Sequence, residues 1–259
     1  MRSINTDTHV HSTFSIDAEN DIEEMCDSAI KNGIKYITFT EHVDFNPLDE
    51  GYDYLKVDKF LEKIDDLNLK YGDKLKVLSG VEFSEPHLYP EQMEQYNNYD
   101  FDLIIGAIHW IDGYFVGDED LLKKYSKDEI FLRYYNLVYQ TVKYGMFDVI
   151  AHFDFPKRYL DYEYKNYNLI PQIIRMMVDN NIIMEINSSS LRKGLDEAMP
   201  SKWILQQYEE MGGKKVTIGS DAHREYEVAE DFDIVNNVIQ DLGLVQGYFQ
   251  NRKFIENVK

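Results

Sequence analysis

The sequence predicts an α/β fold in which seven strand–helix units close into a barrel. Seven short runs of apolar and β-branched residues alternate with segments of helical period. Polar residues of metal-ligating type close nearly every run, whereas an open sheet collects its site at one switch point. No Gly-rich phosphate loop follows the first run, as a dinucleotide-binding sheet requires.

The strands are expected at 4–9, 36–40, 76–82, 103–109, 148–152, 182–187 and 215–220. Helical periodicity places helices at 21–32, 57–71, 90–97, 127–144, 168–180, 201–211 and 227–242. Gly33, Gly72, Gly145 and the pair Gly212-Gly213 stand where four of these helices must stop. The stretch 246–258 adds a final strand or a short helix. A chain of 259 residues suffices for two small domains or one barrel. No linker or low-complexity segment divides it, so residues 1–259 are expected to form one domain.

The bulk composition excludes several classes. The formal net charge is −20, spread along the helices, and no basic stripe offers itself to phosphate backbones; a nucleic-acid partner is not expected. No apolar run approaches the roughly 20 residues that span a bilayer, and residues 1–7 lack the apolar core of a signal peptide. One cysteine, Cys26, on a helical pattern and expected to be buried, cannot form an internal disulfide. These features point to a cytoplasmic enzyme without a membrane partner; they assign no oligomeric state.

Six of the seven histidines lie in the polar marks that close the strands. His9 and His11, two apart, point to one face of a strand end and make a natural chelate. Glu82 ends the run Val77-Leu78-Ser79-Gly80-Val81, where a carboxylate is costly unless paired or coordinated. His109 and His152 each end a strongly apolar strand, and Asp221 and His223 repeat the two-residue spacing after the last one. Imidazole with carboxylate is the donor set of a divalent-metal site. Asp17 is equally placed to cap the helix that begins near Asp21, and His42 to orient a neighbour. His87, in a loop without a strand behind it, stands outside the site.

Taken together these marks resemble the PHP (polymerase and histidinol phosphatase) superfamily. Its motifs are matched by His9-Val10-His11 with Ser12 and Asp17, by Thr40-Glu41-His42, by His152, and by Ser220-Asp221-Ala222-His223. Glu82 and His109 fall where the family places its remaining ligands, so the resemblance runs from about residue 5 to residue 225. Gly106-Ala107-Ile108-His109-Trp110, the segment 152–159 and the segment 185–194 are similar to the histidinol-phosphatase branch. The resemblance implies a distorted (β/α)7 barrel with three divalent ions, zinc, manganese or iron. His9, His11, Glu82 and Asp221 would hold the first. Glu82 would bridge to a second, completed by His109 and His152, and Asp17, His42 and His223 would hold a third.

Such a cluster would generate hydroxide near neutral pH and neutralise charge on a phosphoryl group. Three divalent ions outweigh the carboxylates of Asp17, Glu82 and Asp221, leaving a locally positive site in an acidic chain. Arg158 and Arg192 follow two strand ends and are expected either to clamp phosphate or to lie on the surface. Asp154 and His223 are candidates to protonate the leaving alcohol. Trp110, Asn187, Glu85 and Asp154 are candidates to meet the amine and imidazole of histidinol phosphate. The expected reaction is hydrolysis of this small phosphate ester in histidine biosynthesis. The alternatives are a phosphoesterase for nucleotides or other small esters, an amidohydrolase-like deaminase, and a metal-buffering module. A deaminase of that kind usually needs a bridging carboxylated lysine, where this chain offers Glu82.

Overall fold

The structure, a computed structural model, describes residues 4–162 and 164–257. Residues 1–3 of the expected leaderless amino terminus and Val258 of the expected final segment lie outside the described residues. The strands are β1 (Thr6–Val10), β2 (Tyr36–Val43), β3 (Lys76–Ser84), β4 (Leu103–Ala107), a small hairpin β5 (Trp110–Ile111) and β6 (Tyr114–Phe115), β7 (Val149–Ile150), β8 (Ile183–Asn187), β9 (Lys215–Gly219), β10 (Val245–Gln250) and β11 (Lys253–Glu256). Seven of them run parallel in the order β1-β2-β3-β4-β7-β8-β9, as expected, and helices pack outside.

The ring closes unevenly. At the carboxyl ends, β1 meets the loop after β9: Val10 bridges Ala222, the His11 N–H donates to the Ala222 carbonyl at 2.9 Å, and the Asp221 N–H donates to the His9 carbonyl at 2.8 Å. At the amino ends, β10 instead pairs with β9 through Val245 and Gln246 and returns as the antiparallel hairpin β10–β11. This wedge, on the segment expected to be a strand or a short helix, makes the (β/α)7 barrel a distorted one.

Register explains where the polar residues go. His42 pairs with Glu82, Glu82 with Ile105, and Ser84 with Ala107, so these side chains share the inner face. Low in the barrel that face is apolar, with Leu103, Ile105, Val149 and Ile183 packed on Phe249. Higher up it turns polar, through His42, Glu82, Ser84, Glu185 and Asn187, all on strands that are otherwise hydrophobic. The opposite face joins the larger core beneath the helices.

The helices form for local reasons. Helix Ile22–Lys31 buries Ile22, Met25, Cys26 and Ala29, one stripe at helical spacing. Its cap is Asp21, which accepts the N–H groups of Glu23 and Glu24 at 2.9 Å while Glu24 accepts the Asp21 N–H at 3.1 Å. That leaves Asp17 free of capping duty. Helix Lys127–Tyr144 starts on a Ser126–Glu129 box and stops at Gly145, whose φ of 71° is left-handed. Helix Phe232–Leu242 begins later than the periodicity suggests, because residues 225–227 form a separate 3₁₀ turn. Among the described residues no helix is long and apolar enough to cross a membrane.

Candidate active site

Nine predicted ligands converge at the carboxyl-terminal mouth. Glu82, at the end of β3, is the hinge of the arrangement. Its Oε2 lies 3.4 Å from His9 Nε2, 3.7 Å from His11 Nε2 and 3.1 Å from His42 Nδ1. Its Oε1 lies 2.8 Å from His152 Nε2 and 3.5 Å from His109 Nε2. The two oxygens of one carboxylate thus address five histidines, three from one oxygen and two from the other. Asp221 Oδ1 stands 3.5 Å from His11 Nε2 and 4.0 Å from His9 Nε2. Asp17, on the half-exposed lip, reaches His42 Nε2 at 3.5 Å and His223 Nε2 at 3.2 Å.

Three sets are compact enough to hold an ion: His9 with His11 and Asp221; Glu82 with His109 and His152; and His11 with His42 and His223. The last differs from the expected third set in drawing in His11, which stacks on the His42 ring at 4.2 Å between centroids.

The proton pattern fits metal binding. His9 Nδ1–H donates to Glu185 Oε1 at 2.6 Å, and His223 Nδ1–H to the Asp221 carbonyl at 3.0 Å. His109 Nδ1 contacts Ser84 Oγ at 2.9 Å. With Nδ1 engaged outward, each Nε2 lone pair points inward. Facing nitrogens then come unusually close: His9 to His11 at 3.1 Å, His42 to His223 at 3.4 Å, and His109 to His152 at 3.5 Å. Lone pairs aimed at one another are repulsive unless a proton or a metal cation lies between them. His42 departs from this pattern: its buried Nδ1 turns to Glu82 Oε2 at 3.1 Å without hydrogen-bond geometry.

The charges agree. Burial alone would raise Glu82, but the imidazoles of His9, His109 and His152 outweigh it and hold the carboxyl well below its ordinary range. Burial likewise opposes Asp221, and Arg158, His11 and His9 overcome it. Burial, with His42 and His223 nearby, keeps His11 neutral, the form that ligates. His152 and Asp221 also hold left-handed backbone, with φ of 25° and 53°, a cost met by the surrounding structure at functional positions.

Several residues escaped the sequence reading. Glu185 on β8, wholly buried, accepts from His9 Nδ1, from the His152 N–H at 2.8 Å and from Asn187 Nδ2 at 3.2 Å. It therefore orients two ligands at once. It fits because Gly219 carries no side chain: a Cβ there would lie 2.3 Å from Glu185 Oε1 and 2.4 Å from His9 Cβ. Glu41 accepts from the Ser12 and Ser15 hydroxyls at 2.5 Å, steadying the turn after His11, and burial pushes it up to about 7. Glu85, expected to meet the substrate's amine or imidazole, instead accepts the His109 and Trp110 N–H groups, so it shapes the loop and does not line the cleft.

The cleft above the ligands has a volume of about 450 Å³. Arg158 enters it, with Nη1 2.9 Å from Asp221 Oδ2 and with an unpartnered Nε–H. Three further expectations need correction. Asp154 is not in this cleft: its Oδ2 accepts the Ser201 N–H at 2.9 Å, and its side chain borders another cavity. Arg192 donates to the carbonyls of Ser220 and Asp221 at 2.8 and 3.1 Å, bracing the ligand loop from behind and leaving no clamp for phosphate. Asn187 is buried against Glu185 and Ser189, and it too misses the cleft. Trp110 does line it, and His87 stays outside, bonded to Thr141.

A family model described as the PHP domain matches residues 7–189. A probable histidinol-phosphatase of Clostridium acetobutylicum is 31% identical over 258 residues, covering 95% of this chain and 97% of that protein. A probable histidinol-phosphatase of Thermotoga maritima is 30% identical, with 88% of each chain covered. The crystal structure of the Lactococcus lactis histidinol phosphate phosphatase, complexed with zinc, L-histidinol and phosphate, superposes with a TM-score of 0.86. It is 23% identical and covers 97% of this chain and 98% of its own, a likeness of fold.

Proposed function

The chain belongs to the PHP domain family, and from that premise we infer that it is a histidinol-phosphatase, hydrolysing L-histidinol phosphate to L-histidinol and phosphate. One observation carries the substrate reading. The cleft joins a ligand cluster at its floor to a wall bearing Asp44, Asp49, Glu50 and Asp118 beside Trp110 and Phe115. Such a wall complements an alcohol that carries an ammonium and an imidazole, and it repels the further phosphates of nucleotides. The named relatives at 31% and 30% identity support the same substrate. The convergence of residues 9 to 223 on one mouth supports reading 1–259 as a single phosphoesterase domain, and the histidinol-phosphatase reading implies that it works in the cytoplasm.

His9, His11 and Asp221, with Glu82 beside them, would hold one ion, Glu82, His109 and His152 a second, and His42 and His223, with Asp17 at 3.5 and 3.2 Å, a third; the mixed donors suit zinc, manganese or iron. Bound there, divalent ions supply a nucleophile at neutral pH and neutralise phosphoryl charge. The protein's own groups do the positioning. Arg158 offers its free Nε–H to a phosphoryl oxygen while Asp221 fixes the guanidinium. The Asp49 carboxylate, already accepting Trp110 Nε1–H at 2.8 Å, fixes the indole as one wall for the imidazole ring. His223 has its Nδ1 proton on a carbonyl and its Nε2 committed to the ligand set, so it acts as ligand and not as acid. Asp154 stands out of reach, and the leaving oxygen faces solvent in the open cleft.

Phosphate release by metal-loaded protein should be at least about 100-fold more efficient in kcat/KM with histidinol phosphate than with a nucleoside monophosphate or a sugar phosphate. Equal efficiencies would overturn the substrate assignment while leaving phosphatase activity in place.

A further inference from the structure

A second cavity, about 290 Å³, lies on the other side of the segment that follows β7. His152, Phe155 and Arg158 border the metal cleft, whereas Asp154, Lys157 and Asp161 border this cavity. One short turn of chain thus separates the two. Aromatic rings form the far wall: Tyr164 stacks on Phe131 at 5.4 Å and on Tyr135 at 5.9 Å between centroids. Among the described lining residues, Asp154, Asp161, Asp196 and Glu197 face a single cation, Lys157. That ammonium is already committed, 2.7 Å from Glu197 Oε1 and 3.2 Å from the Ala198 carbonyl.

Two buried groups in the lining are incomplete. Asp154 is 3% exposed; Ser201 serves its Oδ2, Lys157 is 3.9 Å from that same oxygen, and Oδ1 has no hydrogen-bond partner. The Tyr135 hydroxyl, also fully buried, has none either. Buried polar groups are ordinarily satisfied, and an anion more urgently than any other. Neither group serves the metal cleft. Surplus carboxylates, an unmet acceptor and aromatic faces together define a receptor for positive charge on an organic body.

We propose that this cavity is a binding site for a small organic cation, a primary ammonium on a ring-sized body, with Asp154 Oδ1 accepting the ammonium proton and the Tyr164 ring packing on the body. Lys157 and the aromatic wall disfavour a bare metal ion, which would need oxygens converging from several sides.

Phenethylamine is a suitable probe, since it carries no imidazole to compete for metals, and 2-phenylethanol is its neutral counterpart. Titrated by NMR into metal-loaded protein, the amine should bind saturably in roughly the millimolar range, and the alcohol at least about 10-fold more weakly. Asp154→Asn and Tyr164→Leu should each weaken the amine at least about 10-fold, whereas Asp49→Asn in the metal cleft should leave it unchanged. Asp196→Asn, an exposed change that leaves folding and phosphate release intact, should weaken it by a few-fold even if Asp154→Asn fails to fold. Equal affinity for the alcohol, indifference to Asp196→Asn and Tyr164→Leu, or loss of binding in Asp49→Asn would each overturn the assignment.

Discussion

The two ends of the barrel both hold carboxylates, part-buried at one end and buried at the other, and they treat them in opposite ways. At the amino-terminal end, Asp102 accepts the Ser79 N–H at 3.0 Å and the Asn251 N–H at 2.9 Å, and Asp148 accepts the Ile104 N–H at 2.9 Å and pairs with Arg252. Each acid there has donors supplied by the fold. At the mouth, imidazole nitrogens face one another at 3.1 to 3.5 Å, and Glu82 divides its oxygens among five rings. The first pattern staples the sheet to its closing hairpin. The second is complete only with cations, and that incompleteness marks the functional end.

Four experiments test that contrast. Glu82→Gln keeps the shape and removes the bridging charge. Activity should fall by about 1,000-fold or more with loss of bound metal, while the metal-free protein stays folded. A variant with full metal content and rate would erase the distinction between the two ends. Glu185→Gln reaches the same ions indirectly: chelator competition should show metal affinity weakened by about 10–100-fold. Unchanged affinity would reduce Glu185 to a buried strut.

Arg252→Ala inverts the expectation. Loss of the Asp148 partner should lower the unfolding free energy by about 1–3 kcal/mol, with kcat/KM per folded molecule unchanged. A loss of catalysis in the cold, fully folded variant would show that the two ends are coupled.

The smallest effect concerns His87, a histidine with no acid beside it. Burial lowers its pKa from the ordinary 6.5 to about 4. The unfolded chain therefore takes up a proton that the folded chain refuses. This residue's penalty is absent above about pH 6.5 and grows as pH falls toward 4. Chemical denaturation across that window should show His87→Gln losing about 1–2 kcal/mol less than the parent, allowing for the residue's partial exposure. Parallel curves would remove His87 from the acid response.

Much of this was legible before any coordinates. Strand and helix placement followed periodicity because the seven parallel strands are largely buried on both faces and the longer helices on one. The convergence of the nine candidate ligands was legible because histidine is rare and a strand end is a fixed place. Glu185 carried the same signal as Glu82, an acid inside an apolar run, but nothing in the sequence tells a ligand from the group that orients it. Arg192 and Asp154 failed for a different reason. Position after a strand brings a residue to the mouth, but loop conformation decides which way it turns, and here a backbone carbonyl pair and the Ser201 amide claimed them. The hairpin β10–β11 was ambiguous because its pairing partner lies some 30 residues earlier, at Lys215 and Val216.

The seam between β1 and the loop after β9 has a consequence for how the enzyme is made. His9 and His11 leave the ribosome early, yet Asp221 and His223 must emerge before either has its full set of neighbours. At ordinary elongation rates that interval is about 10 to 40 seconds. Throughout this period a nascent chain can offer a metal only a partial ligand set, and the set that joins His9, His11 and Asp221 closes only when the last parallel strand is in place.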